Sequence, residues 1–434
     1  MRRFTTCVGA IQLVVLCALV SGSLGAQSRR NTVVIIPTIG NDHQVNLDYS
    51  VAHLAALLDV VRPDAIIVDD ATSWLARSCP LNTAQPEIHV ALGYSREFRI
   101  PIHGLRDWPP PGVPDPYAAS LRASQAESAQ SRDTAAAHAM WRGQLDRRSA
   151  QIARQYSYPS GATGLEQLVA RGFADREAAL TPQQRTDYLT RATALADSVM
   201  RLVSTSPARR WAVVVNWTIA RPLTQALRTR PGVTVRPVES FLPVSAAKLE
   251  RRMNRANISW ILAGNLDEFY GMWAPQVFPR ERLAALLRRL ERIAPGDPVT
   301  DYMRARWLMQ NRDYAAADTI MSRLAALQPD VNFPFPINGK WIRPPWPSVR
   351  RKAQLNQAFV LDYRGRRQEA LAIYNELTAL GPELDADARF FGYLYDDIQA
   401  AIRSYVDRPY TGDPSEAFRH WMGTVRRPEC EPGR

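Results

Sequence analysis

The chain has 434 residues, of which 46% are hydrophobic and 22% are charged. These proportions are ordinary for a folded protein, and they exclude disorder over most of the chain. The formal charge of +12 comes almost wholly from arginine, since lysine occurs only at positions 248, 340 and 352. The basic residues are scattered among acidic ones and form no dense run with interleaved aromatic residues, so we predict no specific nucleic-acid site.

Residues 1–26 have the pattern of an export signal. Arginines follow Met1, the run from Cys7 to Val20 is almost wholly apolar, and Leu24-Gly25-Ala26 is a small-residue cleavage site. The apolar run is shorter than the roughly 20 residues that a bilayer span needs. We therefore predict a secreted or periplasmic protein whose mature chain begins at Gln27 and has no membrane span. Without Arg2 and Arg3, the formal charge of +12 falls to +10.

Removing the first 26 of 434 residues leaves 408, which suits two or three domains. We predict an α/β domain over 27–255, a helical domain over 256–425 and a tail over 426–434. The boundary at 255 follows a change from alternating strand and helix patterns to a wholly helical pattern.

Short apolar runs alternate with helix-like stretches in the first half of the chain. This rhythm predicts a mostly parallel sheet with helices on both faces. We predict a helical insertion over residues 111–205, because the first part of this range is rich in Ala, Ser, Gln and Arg. Residues 258–263 fit either a last strand or a buried helix. The predicted strands are 33–36, 65–68, 100–102, 212–215 and 233–235, and the predicted helices are 50–61, 86–98, 183–203 and 222–227.

The second half of the chain predicts an all-α repeat domain. Residues 302–329 and 355–382 each read as a helix pair, and apolar positions match at an offset of 53, the distance from Pro329 to Pro382. That offset equals a repeat of about 34 residues plus an insertion of about 19. Small residues fall where two helices must approach closely, so these units resemble tetratricopeptide repeats and predict a protein or peptide partner. The matched pairs are Ala305 with Ala358, Leu308 with Leu361, Ala317 with Ala370, and Leu324 with Leu377.

The insertion between the two helix pairs, residues 331–350, interleaves aromatic residues with proline. Exposed rings on a stiff loop suit contact with a peptide or a glycan. The alternative is that the loop folds back over the repeat core, which a short repeat array needs for burial at its ends.

The order of elements in residues 31–242 resembles the superfamily of TraB/Tiki proteins, erythromycin-esterase-like enzymes and haem-uptake ChaN-like proteins. The resemblance rests on the first strand and loop at 33–40, the run from Arg62 to Asp69, the helix from Pro86 to the Arg99-Ile100-Pro101 segment, and the helix 185–200 before strand 212–216. In that superfamily, His and an acid at the strand ends converge on a metal or activate a water. The resemblance implies such a site here.

Several positions depart from that pattern. Gly40 stands where the first His is expected, although Gly40-Asn41-Asp42-His43 places a histidine three residues later, and the late strand ends in Asn216-Trp217-Thr218 without histidine. The candidate catalytic and metal-ligating residues are therefore His43 and Asp69. Their alternative roles are a loop histidine bonded to the adjacent turn and a helix N-cap. Further residues of the predicted crevice are Asp42, Asp70, His103 and Asn216.

Other enzyme signatures are absent from the sequence. It contains no Gly-x-Ser-x-Gly turn, phosphate loop, dinucleotide fingerprint or Cys-x-x-Cys pair. Ser50 and His53 lie three apart on one predicted helix, a spacing that forms no catalytic triad by itself.

The mature chain keeps two cysteines, Cys79 and Cys430. In an oxidising compartment they can form one disulfide that pins the proline-rich tail, or they can be two unrelated thiols.

Two functions fit these observations. In the first, the α/β crevice is inactive or only holds a ligand, and the repeats bind a partner. In the second, the chain is a divergent hydrolase that uses His43, Asp69 and a divalent metal.

Overall fold

The computed structural model describes only part of the chain. The described residues are 31–40, 43, 46–69, 86–105, 182–266, 280–334, 348–379, 402–403, 405–407 and 409.

The first half of the described chain alternates strands with helices. Its elements are β1 (Asn31–Thr38), α1 (Val51–Val61), β2 (Ala65–Val68), α2 (Pro86–Phe98), β3 (Ile102–Gly104), α3 (Pro182–Thr205), β4 (Arg210–Asn216), α4 (Trp217–Arg228) and β5 (Val233–Arg236). The second half is helical, with a short 3₁₀ turn at Val238–Phe241 followed by α5 (Ala246–Arg252), α6 (Arg255–Leu266), α7 (Arg280–Ile293), α8 (Pro298–Gln310), α9 (Tyr314–Ala325), α10 (Val349–Tyr363) and α11 (Arg367–Ala379).

The five strands form one parallel sheet in the order β3-β2-β4-β1-β5. In the register, Ile36 lies beside Val214 and Ile67 beside both Val213 and His103. The central strands are continuous apolar runs because both of their faces are covered, as is usual for parallel sheets. The predicted parallel α/β sheet is confirmed.

Helices cover the two faces according to the direction in which the chain travels. From β1 the chain moves through β2 to the edge strand β3, and α1 and α2 pack on the face that carries Ile36 and Val214. It then returns to β4 and passes to β5, and α3 and α4 pack on the opposite face, with Val213 and Val215. Right-handed crossovers require this change of face when the direction reverses.

The helical half extends the hydrophobic core of the first face. Buried residues of α6, α7 and α8, such as Trp260, Leu287 and Met303, belong to the same continuous cluster as Ile36 on β1. Ion pairs also join the halves: Arg252 on α5 pairs with Asp59 on α1 at 2.6 Å.

Two helix hairpins, α8–α9 and α10–α11, correspond at an offset of 53 residues. Their first helices end at Gln310 and Tyr363, and their second helices begin at Tyr314 and Arg367. Each turn contains one left-handed residue, Arg312 with φ 62° and Gly365 with φ 72°.

Backbone bonds and burial repeat at the same offset. The amide of Asp313 donates to Leu308 at 3.0 Å, and the amide of Arg366 donates to Leu361 at 2.8 Å. The four matched alanines, 305, 317, 358 and 370, are fully buried. The two turns therefore have the same construction.

The segment between the hairpins is closed at its base. Asn332 and Ser348 form an antiparallel bridge, and the Val349 amide donates to the Val331 carbonyl at 2.8 Å. Phe333 is buried, and its ring meets that of Tyr302 edge-on at 5.1 Å. The first residues of this segment thus fold back on α8, while residues 335–347 lie outside the described part.

Of the two alternatives predicted for residues 258–263, the buried helix is confirmed, because these residues are the middle of helix α6. One predicted strand boundary was wrong. The third strand is Ile102–Gly104, two residues later than predicted, because it pairs with Ile66–Val68. The last part of the predicted insertion is α3, whose apolar stripe of Leu195, Val199 and Val203 covers the sheet, so α3 is a crossover helix.

Within the residues that the structure describes, no helix is long and apolar enough to cross a membrane.

Candidate functional site

The sheet topology defines one crevice. Strand β4 lies between β2 and β1, and the helix that follows β4 covers the opposite face from the helices that follow its two neighbours. In open parallel sheets, ligand sites lie outside the carboxyl ends of strands whose connections diverge in this way. Thr38, Asp69 and Asn216 stand at the ends of these strands.

On the α1–α2 face of this edge, Thr38 bonds to an acid that the sequence analysis did not select. The Thr38 hydroxyl donates to Glu87 Oε1 at 3.0 Å and lies 3.2 Å from the Val215 carbonyl. Glu87 is in the first turn of α2, where the positive end of the helix dipole favours a carboxylate. Asn216 is the register partner of Thr38 and ends β4 beside this pair.

His43 is fully buried in the loop after β1, and both of its ring nitrogens have backbone partners. Nδ1 lies 2.7 Å from the Tyr49 carbonyl, which can only accept, so Nδ1 carries the proton. Nε2 accepts a hydrogen bond from the Ile39 amide at 3.1 Å. This pattern assigns the neutral Nδ1–H tautomer and leaves no ring lone pair for a metal or a substrate.

Burial lowers the pKa of His43 to about 3, against the opposing effect of the bond to the Tyr49 carbonyl. A second proton on Nε2 would also be unfavourable, because it would place an N–H donor against the N–H donor of the Ile39 amide. His43 therefore stays neutral at ordinary pH and braces the loop, which was its alternative predicted role.

Asp69 follows β2 and pairs with Arg191 of helix α3. Nη2 of Arg191 lies 3.0 and 3.2 Å from the two carboxylate oxygens, and both side chains are partly exposed. The carboxylate is thus charge-compensated by a residue 122 positions away in the chain.

His43 and Asp69 belong to opposite faces of the sheet. Alternation along β2 places Asp69 on the side of Ile67, which packs against α3. His43 packs edge-on against Tyr49 at 4.6 Å, in the cluster of the α1 face. The structure does not bring this predicted catalytic pair into contact, because each residue bonds to groups on its own face.

His103 lies on the α3 face of edge strand β3. Its ring is 5.8 Å from that of Trp211, near the start of β4, so it leans away from the carboxyl edge. Burial lowers its pKa. His103 is therefore not a crevice residue in this arrangement.

Asp42, Asp70, Cys79 and Cys430 lie outside the described residues. Among those described, no group of three His, Cys, Asp or Glu residues is placed to hold a metal ion.

Ser50 and His53 form the start of helix α1. His53 Nδ1 lies 2.9 Å from Ser50 Oγ and 3.3 Å from the Ser50 amide, so the imidazole takes the place of the Glu or Gln of a capping box. Burial lowers the pKa of His53 to about 4, opposed by the charge of Asp48. Ser50 is fully buried at the N-cap, which gives this pair a structural role and not a nucleophilic one.

Sequence reasoning missed Glu87, Tyr49 and Arg191. An acidic residue in the first turn of the helix that follows β2 is a sequence signal that could have identified Glu87. Tyr49, whose hydroxyl donates to the Pro37 carbonyl at 2.6 Å, and Arg191 belong to no motif. Their roles depend on contacts between elements.

The chain matches no protein-family model, and comparison with curated proteins and with solved structures finds no significant match.

Proposed function

We propose that this chain is an exported binding or scaffolding protein. In this proposal the crevice of the α/β half is not catalytic, and the helical half contacts a protein or peptide partner. The export signal at residues 1–26 supports a secreted or periplasmic location, and the paired hairpins support descent from tetratricopeptide-like repeats. The α/β half is then a degenerate relative of the TraB and erythromycin-esterase-like superfamily.

The observation that carries the proposal is the bonding of His43. A general base or a metal ligand needs a free ring lone pair. The lone pair of Nε2 accepts from the Ile39 amide, and Nδ1 is protonated against the Tyr49 carbonyl. Asp69, the other candidate, is neutralised by Arg191 on the far face of the sheet.

The competing function is a metal-dependent hydrolase that uses His43 and Asp69. The test uses the processed protein, loaded with Zn²⁺ or Mn²⁺ and desalted, with metal content measured per chain. Hydrolysis of 4-nitrophenyl acetate and bis(4-nitrophenyl) phosphate is measured beside it, for the native chain and for Asp69→Asn, His43→Gln and the control His103→Gln. We expect less than stoichiometric metal and blank rates for all four proteins.

Stoichiometric metal with hydrolysis, lost in the Asp69 and His43 variants but kept in the His103 variant, would establish the hydrolase instead. Asp69→Asn is the decisive variant, because Asp69 is partly exposed and its substitution leaves the buried loop intact.

Partner binding is tested by site-specific photo-crosslinking in cells that export the chain. The photoreactive residue replaces Ile293 or Tyr363, which are exposed on the helical half, or Leu189, which is exposed on α3 as a matched control. A discrete adduct with one protein at the helical positions and not at Leu189 supports the proposal. Adducts at all three positions or at none contradict it.

A further inference from the structure

One charged contact connects the helical half to the loop beside the crevice. Arg282 on α7 donates to Asp48 through Nη2 at 2.8 Å, across 234 positions of the chain. The Asp48 side chain is only 13% exposed, so this ion pair is shielded more than a surface pair. Leu283, the next residue on α7, is buried in the common core, which fixes the helix that presents Arg282.

From Asp48, an unbroken series of hydrogen bonds leads to the end of β1. Asn46 Oδ1 accepts from the amides of Asp48 and Tyr49 at 2.8 and 2.9 Å. Tyr49 then donates its hydroxyl to the Pro37 carbonyl, and its own carbonyl accepts from His43. His43 in turn accepts from the Ile39 amide, immediately after Thr38 at the crevice.

These hydrogen bonds leave the loop little room to move, because most of the participating side chains are buried and bond to backbone groups. Asn46, His43 and Tyr49 are all at most a few per cent exposed. A change in the position of Asp48 therefore displaces backbone at the rim of the crevice.

We propose that Arg282 is a positioning residue through which the helical half fixes the loop after β1 at the crevice rim. A partner that shifts α7 then changes the rim, and a ligand that orders the rim favours one position of α7. This coupling rests on the proposed binding function, but its structural part is testable without knowing ligand or partner.

The test is hydrogen exchange followed by mass spectrometry on the full mature chain. In Arg282→Gln, we expect peptides covering 46–50 to exchange about fivefold faster, which is the scale of one partly shielded ion pair. Peptides of α10 should be unchanged. The matched control is Arg323→Gln, which breaks the 2.6 Å pair with Asp301 inside the helical half and should leave 46–50 unchanged.

A charge exchange separates positioning from general stability. Arg282→Asp should accelerate exchange at 46–50 further, and adding Asp48→Arg should restore it toward the native rate. Unchanged exchange in Arg282→Gln, or equal acceleration throughout the chain without recovery in the exchanged pair, overturns the proposal. Either result leaves the metal and crosslinking tests of the binding function untouched.

Discussion

The sheet half and the helical half differ in where they bury some of their polar side chains. In the sheet half, the central strands are apolar, and Thr38, His43 and Glu87 are buried where a strand ends or a helix begins. In the helical half, Arg306 and Asn356 are buried in the middle of helices. His43 and Arg306 each bond to backbone groups that would otherwise be buried without these partners.

The difference follows from where each architecture leaves such groups. A parallel strand bonds to its neighbours until it ends, and the loop beyond needs side chains such as His43. A helix leaves its last carbonyls open. Arg306 donates to the Leu266 carbonyl, at the end of α6, at 3.1 and 2.8 Å. A histidine after a strand and an arginine within a helix can therefore have the same structural task.

Substitution of Arg306 tests this structural role in the helical half, and we expect it to lower the free energy of unfolding more than the other changes below. Arg306→Ala removes the buried donor to the Leu266 carbonyl and to Asn356 Oδ1, so we expect the free energy of unfolding to fall by about 3 kcal/mol or more. Urea denaturation measures it. Arg323→Ala, which breaks an exposed pair, should cost at most about 0.5 kcal/mol. Equal losses in the two variants would show that Arg306 is not an internal helix cap.

Overpacking the core at matched positions tests whether the two hairpins are equivalent. Ala305→Leu and Ala358→Leu insert the same volume at matched, fully buried positions, so each should lower the free energy of unfolding by about 2 kcal/mol. The exposed Ala315→Leu is the control and should have little effect. Thermal and urea unfolding check the result, and a large loss at only one of the two sites would mean that the hairpins pack differently.

The neutral histidines of the sheet half predict a dependence on pH. Because burial lowers the pKa of His43 to about 3 and of His53 to about 4, the unfolded chain binds more protons below its ordinary histidine pKa near 6.5. Above that pH, these two histidines should not lower the free energy of unfolding. As the pH falls toward 4, protonation of each histidine in the unfolded chain should lower the free energy of unfolding by about 1.4 kcal/mol per pH unit.

Urea denaturation at several pH values measures this slope for the native chain and for His43→Gln. The variant should be less stable near neutrality, but its slope should be shallower by the contribution of one histidine. Parallel curves for the two proteins would refute the buried neutral state of His43.

The smallest effect concerns the two hairpin turns. Arg312 adopts a left-handed conformation at the position where the second hairpin has Gly365, and a side chain there has open space around it. Arg312→Gly should therefore stabilise by up to about 1 kcal/mol, and Gly365→Arg should destabilise by a similar amount. Calorimetry of both variants checks the signs, and a destabilising Arg312→Gly would indicate that this side chain contributes contacts exceeding the backbone strain.

Local pattern predicted the elements of the sheet half with good accuracy. Strand β2 and helix α2 have the predicted bounds, because a short apolar run after Pro63-Asp64 and a helix that begins with Pro86-Glu87 carry their own signals. The acid of that Pro-Asp pair has a role in the sheet, since Asp64 accepts the amides of Arg209 and Arg210 at 3.0 and 2.7 Å. The edge strand β3 was misplaced because its bounds depend on its partner β2.

The candidate site was harder to predict than the fold. Residue type and position after a strand selected His43 and Asp69, and both do follow strands. Neither signal contains the direction of the side chain, which alternation and the neighbouring helices decide. The partners of the two residues, the Tyr49 carbonyl and Arg191, come from a loop conformation and from a distant helix.

Apolar periodicity and turn residues act over a few positions, so they predict the parallel sheet, its covering helices and the two helix pairs at an offset of 53 from the chain alone. Contacts between distant elements decide that His43 is a buried brace, that Asp69 is paired on the opposite face, and that Arg282 of α7 pairs with Asp48. The physical reason is that protonation and pairing of a polar group depend on burial and on neighbours in space, which chain order does not specify.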